Sequence, residues 1–137
     1  MLLVHENSRK EQMMTSPSRS ITVTRIAARV CSLLLFIFWG SFFIEHMSWF
    51  VASKEPAPPL RIWLLQFGHF ILIAGYLILL RWEKTGGVMI VVSALLFFSF
   101  AAGERALPYI IISILPALLI GYCLWAEKKI HPLPVVM

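Results

Sequence analysis

The sequence predicts an all-α fold, a transmembrane four-helix bundle with a flexible N-terminal arm, and three observations lead there. Of 137 residues 59% are hydrophobic and 14% are charged, with a mean hydropathy of +0.81. Soluble domains average about 25% charged residues, so a soluble chain of this composition would have too little polar surface to cover itself. Apolar stretches long enough to cross about 30 Å of hydrocarbon alternate with short polar breaks. Lys and Arg gather in every second break, the asymmetry of a chain with a fixed orientation in a bilayer.

Residues 1–24 are polar, rich in Ser and Thr, and show no sustained apolar period. They predict an irregular basic arm. The arm lacks the short basic start followed at once by an apolar core that marks a signal peptide. The next apolar stretch is also too long for one, so it reads as a retained anchor. This first span covers about 26–50. Lys54-Glu55-Pro56-Ala57-Pro58-Pro59 ends it, because proline removes a backbone donor and breaks a helix.

The second span covers about 60–80, with Trp63 and Trp82 at its two ends, as in an interfacial aromatic belt. Arg81-Trp82-Glu83-Lys84-Thr85-Gly86-Gly87 reads as a polar turn that folds spans two and three into an antiparallel hairpin. The third span, about 88–102, is the shortest and stops at Gly103-Glu104-Arg105. Pro108 suits the first turn of the next helix, where its missing N–H costs nothing. The fourth span covers about 107–126, and Pro116 inside it is tolerated in a membrane helix. Residues 25–126 thus form the membrane domain, and 127–137 a short tail.

The arm with the start of span one, the second-to-third turn and the tail hold nine Lys and Arg, against three (Lys54, Arg61, Arg105) on the other side. This bias places both termini in the cytoplasm and the chain in the cell (plasma or inner) membrane. The net charge of +5 belongs to span edges, with no long basic run interleaved with aromatics. It therefore speaks for anionic lipid headgroups and against nucleic acid. The two cysteines, Cys31 and Cys123, are too few for a disulfide framework and read as small apolar residues. Ser113, Ala117 and Gly121, spaced by four, form a small-residue stripe; Gly68 and Gly75 form another. Either stripe suits helix packing first, and a second copy or another membrane protein as partner second.

Ionisable groups inside a membrane are costly and mark sites of interest. Here they gather toward the outer side: Glu45 and His46 near the end of span one, His69 in span two, Glu104 and Arg105 closing span three. Steps of three, four and seven put Gln66, His69, Ile73 and Tyr76 on one face of span two. Adjacent Glu45 and His46 point about 100° apart. Three readings are open for Glu45, His46, Gln66, His69, Tyr76 and Glu104. They form an interhelical hydrogen-bond network, or a site for a small molecule, ion or proton, or a metal or haem centre with His46 and His69 as ligands. The chain has no H-E-x-x-H, C-x-x-C, G-x-S-x-G or P-loop. The expected class is therefore a structural or accessory membrane protein, ahead of an enzyme, with a binder or transporter as the rival.

Several of these features coincide in one known family. Ala28-Arg29 opens span one, Glu45 lies near its outer end and His69 in span two; Leu80-Arg81-Trp82-Glu83-Lys84-Thr85-Gly86-Gly87 and Ser113-Ile114-Leu115-Pro116-Ala117-Leu118-Leu119-Ile120-Gly121 follow. From Arg25 to about Ala126 the chain resembles small four-span prokaryotic membrane proteins classed as a domain of unknown function. That family usually carries a proline shortly after the span-two histidine, where this chain has Phe70-Ile71-Leu72-Ile73. The resemblance implies a fold and no known activity.

Overall fold

In a computed structural model of the protein the described residues are 2–52 and 58–130, with side chains described for 19–48 and 58–130. The order is α1 (Leu2–Ala52), α2 (Leu60–Arg81), α3 (Glu83–Ala102), a 3-10 turn (Gly103–Arg105) and α4 (Ala106–Ile130). Among the described residues the chain is all-α, with no strand. Most of the expected loop at 54–59, and the tail beyond Ile130, lie outside the described residues.

Three boundaries and the count of spans differ from the expectation. The irregular arm expected to residue 24 is helical from Leu2. That segment contains no glycine and a single proline, Pro17, so little in it opposes extension of the apolar helix it feeds. The expected Arg81–Gly87 turn shrinks to Trp82, whose φ of −119° and ψ of 82° reverse the chain. Helix α3 therefore begins at Glu83 instead of 88, with Gly86 and Gly87 inside it. Helix α4 runs on to Ile130, through Ala126-Glu127-Lys128-Lys129, whose residues favour helix and whose cations suit a helix C-terminus.

The fourth difference concerns the count of spans. Among the described residues three helical stretches, not four, are long and apolar enough to cross a membrane: Arg19–Ser48, Leu60–Arg81 and Glu83–Ile130. The third unites the expected third and fourth spans in 48 residues, because only the 3-10 turn separates α3 from α4. At 1.5 Å per residue it would measure about 72 Å if straight. It is folded back: Phe98 stacks on Tyr109 with ring centroids 5.8 Å apart, and a Cβ at Gly87 would lie 3.9 Å from that of Ala117. Gly103 makes the reversal at a φ of 55°, a conformation costly for any residue with a Cβ.

Each helix is antiparallel to the next. Helix α1 packs on α2 and α4, and α3 packs on the same two. The core lies along their common axis, where Leu72, Tyr76, Leu79, Ile90 and Ala94 are fully enclosed. The α2–α3 pair is tightest because glycines let the backbones meet. A Cβ on Gly75 would come within 3.0 Å of Ile90 Cγ1 and 3.2 Å of Ile90 N. One on Gly86 would drive into the backbone N and Cα of Leu79. Gly121, the last residue of the expected α4 stripe, faces open space instead.

Candidate functional site

Buried polar residues come from every helix, Ser32 in α1, Gln66 and His69 in α2, Ser93 in α3 and Ser113 in α4, and α2 adds Tyr76. Gln66, His69, Ile73 and Tyr76 are all buried, on one face, as the helical spacing requires. The His69 ring is 3% exposed. It stacks on Phe97 at 4.7 Å, with the rings of Phe43 and Trp39 edge-on at 5.6 and 6.2 Å. Trp39 in turn contacts Phe98 at 5.0 Å and Tyr109 at 6.4 Å, so all four helices meet around it.

Three buried polar side chains join helices, whereas Ser93 Oγ donates to the Met89 and Ile90 carbonyls of its own helix. The Tyr76 hydroxyl donates to the Ser113 carbonyl at 3.1 Å, and the Tyr76 carbonyl accepts from Ser32 Oγ at 3.0 Å. Tyr76 thus ties α2 to α4 and to α1 by its two ends. Gln66 Nε2 makes a long 3.5 Å bond to the Phe43 carbonyl. Four buried side-chain atoms among the described residues have no hydrogen-bond partner: Arg25 Nε, Trp39 Nε1, His69 Nε2 and Ser113 Oγ.

The remaining expected residues are elsewhere. Glu45, His46 and Glu104 are exposed. His46 Nδ1 donates to the Phe42 carbonyl of its own helix at 2.8 Å. The structure therefore brings together Gln66, His69 and Tyr76, and leaves Glu45, His46 and Glu104 on the surface. Adjacent residues on a helix diverge by about 100°, and the ends of α1 and α3 turn these side chains outward. Among the described residues no three His, Cys, Asp or Glu side chains converge to hold a metal ion.

Sequence reasoning missed a charged cluster at the opposite end. Arg25 Nη2 meets Glu127 Oε1 at 3.0 Å, and Arg29 Nη2 meets Glu83 Oε1 at 3.2 Å. Arg25 Nε is 2.9 Å from Glu83 Oε1 but not in line for a hydrogen bond, so that attraction is coulombic. Glu83 also sits in the first turn of α3, where the helix dipole favours an anion. The signals were present: Arg25 and Arg29 share a face at a spacing of four, and Glu83 starts a helix. Trp39 was missed too, although a mid-span tryptophan stands apart from the interfacial ones.

A sequence family described as "Domain of unknown function (DUF7670)" matches residues 17–129. The chain belongs to this family. The match covers α1 from Pro17, all of α2 and α3, and α4 to Lys129, so the buried α2 face and the charged cluster both belong to the DUF7670 domain. No curated protein and no solved structure matches the chain.

Proposed function

We propose that this DUF7670 protein is a structural or accessory membrane protein that crosses the cell membrane four times, with both termini in the cytoplasm. The observation that carries the role is the use made of buried polar groups. Ser32, Gln66 and Tyr76 spend their hydrogen bonds joining one helix to another, as polar residues do in helix association within lipid. The membrane setting is supported by large apolar side chains turned outward on every helix, among them Leu34 (63% exposed), Phe67 (62%), Leu96 (57%) and Leu118 (56%). Water would not tolerate so continuous an apolar surface. Four crossings are supported by the antiparallel fold of the long third stretch. The orientation is supported by the basic residues Arg25, Arg29, Arg81, Lys84, Lys128 and Lys129 at one end, against Arg61 and Arg105 at the other.

Reporters fused at the two ends test this reading. Four crossings place both on one side, active only in the cytoplasm, with a reporter in the 54–59 loop active only outside. Termini on opposite sides would mean an odd number of crossings and overturn it.

A second reading, binding of a small polar molecule in the core, is favoured by one observation: the unpartnered His69 Nε2 beside the unpartnered Trp39 Nε1. A haem or metal at His46 and His69 is less well supported, because His46 is exposed and bonded within its own helix.

A further inference from the structure

Two hollows join on the outer surface of α3 and α4. One is an apolar groove of about 380 Å³ running from Glu83 to Val92 along α3, floored by Gly87, Ala117 and Gly121. Its length is about 14 Å at 1.5 Å per residue. The other is a crevice of about 380 Å³ at the basic end, walled by Arg81, Trp82, Glu83, Lys84, Thr85 and Leu124. The two share Glu83, Lys84 and Leu124, so they are continuous. An apolar trough thus opens at one end into a cationic mouth.

The charges at that mouth are unequal. Its carboxylate, Glu83, is held by Arg25 and Arg29 of α1, and Glu127 by Arg25. Arg81, Lys84 and Lys128 have no acidic partner among the described residues. Lys128 lies on the face of α4 that carries Ala117, Gly121 and Leu124, through steps of four, three and four. Trp82 is exposed beside them, and Trp125 carries Lys129 over its ring at 4.2 Å. Tryptophan and lysine at this level are the usual neighbours of lipid headgroups.

We propose that this trough binds one anionic phospholipid, its phosphate at Arg81 and Lys84 and one acyl chain in the groove between α3 and α4. The proposal rests on the membrane reading above and adds a specific lipid site to it. Charge complementarity selects an anionic headgroup, and the apolar groove selects a lipid over a free anion. Each cation near a headgroup contributes about 1 kcal/mol of attraction, so losing two weakens binding roughly tenfold or more.

The test uses the full chain in detergent, titrated with phosphatidylglycerol, with phosphatidylcholine of the same acyl chains, and with inorganic phosphate, and read by native mass spectrometry. Phosphatidylglycerol is expected to be retained about tenfold more strongly than phosphatidylcholine. Arg81→Ala with Lys84→Ala removes that preference, whereas Arg61→Ala with Arg105→Ala, the same charge loss at the other end, preserves it. Gly121→Leu fills the groove and lowers retention of both lipids. A Cβ there meets nothing within 4 Å, and an unchanged melting temperature checks that the fold is kept. Equal retention of the two lipids, equal loss in the two double variants, or displacement by inorganic phosphate would overturn the site. Flotation with phosphatidylcholine vesicles tests the membrane reading separately: a chain that does not float sinks that reading, and one that floats without lipid preference sinks the lipid site alone.

Discussion

His69 has an aromatic ring stacked on it and two more edge-on, and its Nε2 has no partner. Two free-energy terms oppose each other here: the packing of a large flat ring, and the penalty of a buried acceptor left without a donor, about 1–3 kcal/mol. A ring of similar shape keeps the first and removes the second. His69→Phe is therefore expected to cost less than about 1.5 kcal/mol, against about 2–4 kcal/mol for His69→Ala, which leaves a cavity. Thermal unfolding in detergent measures both. Equal losses would show that Nε2 has a tightly held partner, and the small-molecule reading would gain what the structural one loses. The alignment of Gln66, His69 and Tyr76 was legible in the sequence, because a helical face follows from spacing alone. The exposure of Glu45, His46 and Glu104 was not. Shared depth along three helices says nothing about rotation, and rotation is set by which residues fit between neighbours.

At the scale of elements, glycine controls how near two helices come. Gly86 packs against the backbone of Leu79, whereas the neighbouring Gly87 has only the Ala117 side chain at ordinary contact distance. A methyl group at the first site must push α2 and α3 apart, at about 1–3 kcal/mol by analogy with overpacked cores. At the second it meets no obstacle, and the higher helix propensity of alanine offsets the rest. Gly86→Ala should therefore lower the melting temperature clearly, and Gly87→Ala should change it little or raise it. Similar effects from both would mean that the α2–α3 contact is looser than described. The hydrogen bonds of Tyr76 are a smaller effect. Tyr76→Phe, which removes only the donation to the Ser113 carbonyl, should cost about 0.6 kcal/mol and no more than about 1.7, the range for such bonds in membrane helices. A loss above 3 kcal/mol would point to a network that reaches beyond Ser113. The sequence marked the Gly86-Gly87 pair but assigned it to a turn. A paired glycine signals backbone freedom and close approach equally well, and only the neighbouring helix decides between them.

For the whole molecule, the apolar stretches and the charge asymmetry were readable because both are properties of composition along the chain, independent of which helices become neighbours. The way the charges pair was not readable, since it depends on which helices become neighbours. Glu83 is the clearest case. Helix α1 packs chiefly on α2 and α4, yet Arg25 and Arg29 reach across to the first turn of α3. The ion pairs thus brace the ring of helices across its diagonal, at an end where apolar packing gives way to charged side chains. The Glu83 side chain is 15% exposed, so water screens it less than an ordinary surface carboxylate. Glu83→Gln should cost about 1 kcal/mol or somewhat more, at the upper end for exposed ion pairs. Raising the salt from 0.1 to 1 M shortens the screening length from about 10 to 3 Å, so it should erase part of the difference between the variant and the parent chain. Melting curves of the two at both salt concentrations decide the matter. A deficit unchanged by salt would mean that Glu83 acts through hydrogen bonds and the α3 dipole. No deficit at either concentration would mean that the diagonal brace adds nothing to stability and that the cluster serves only to set charge at this end.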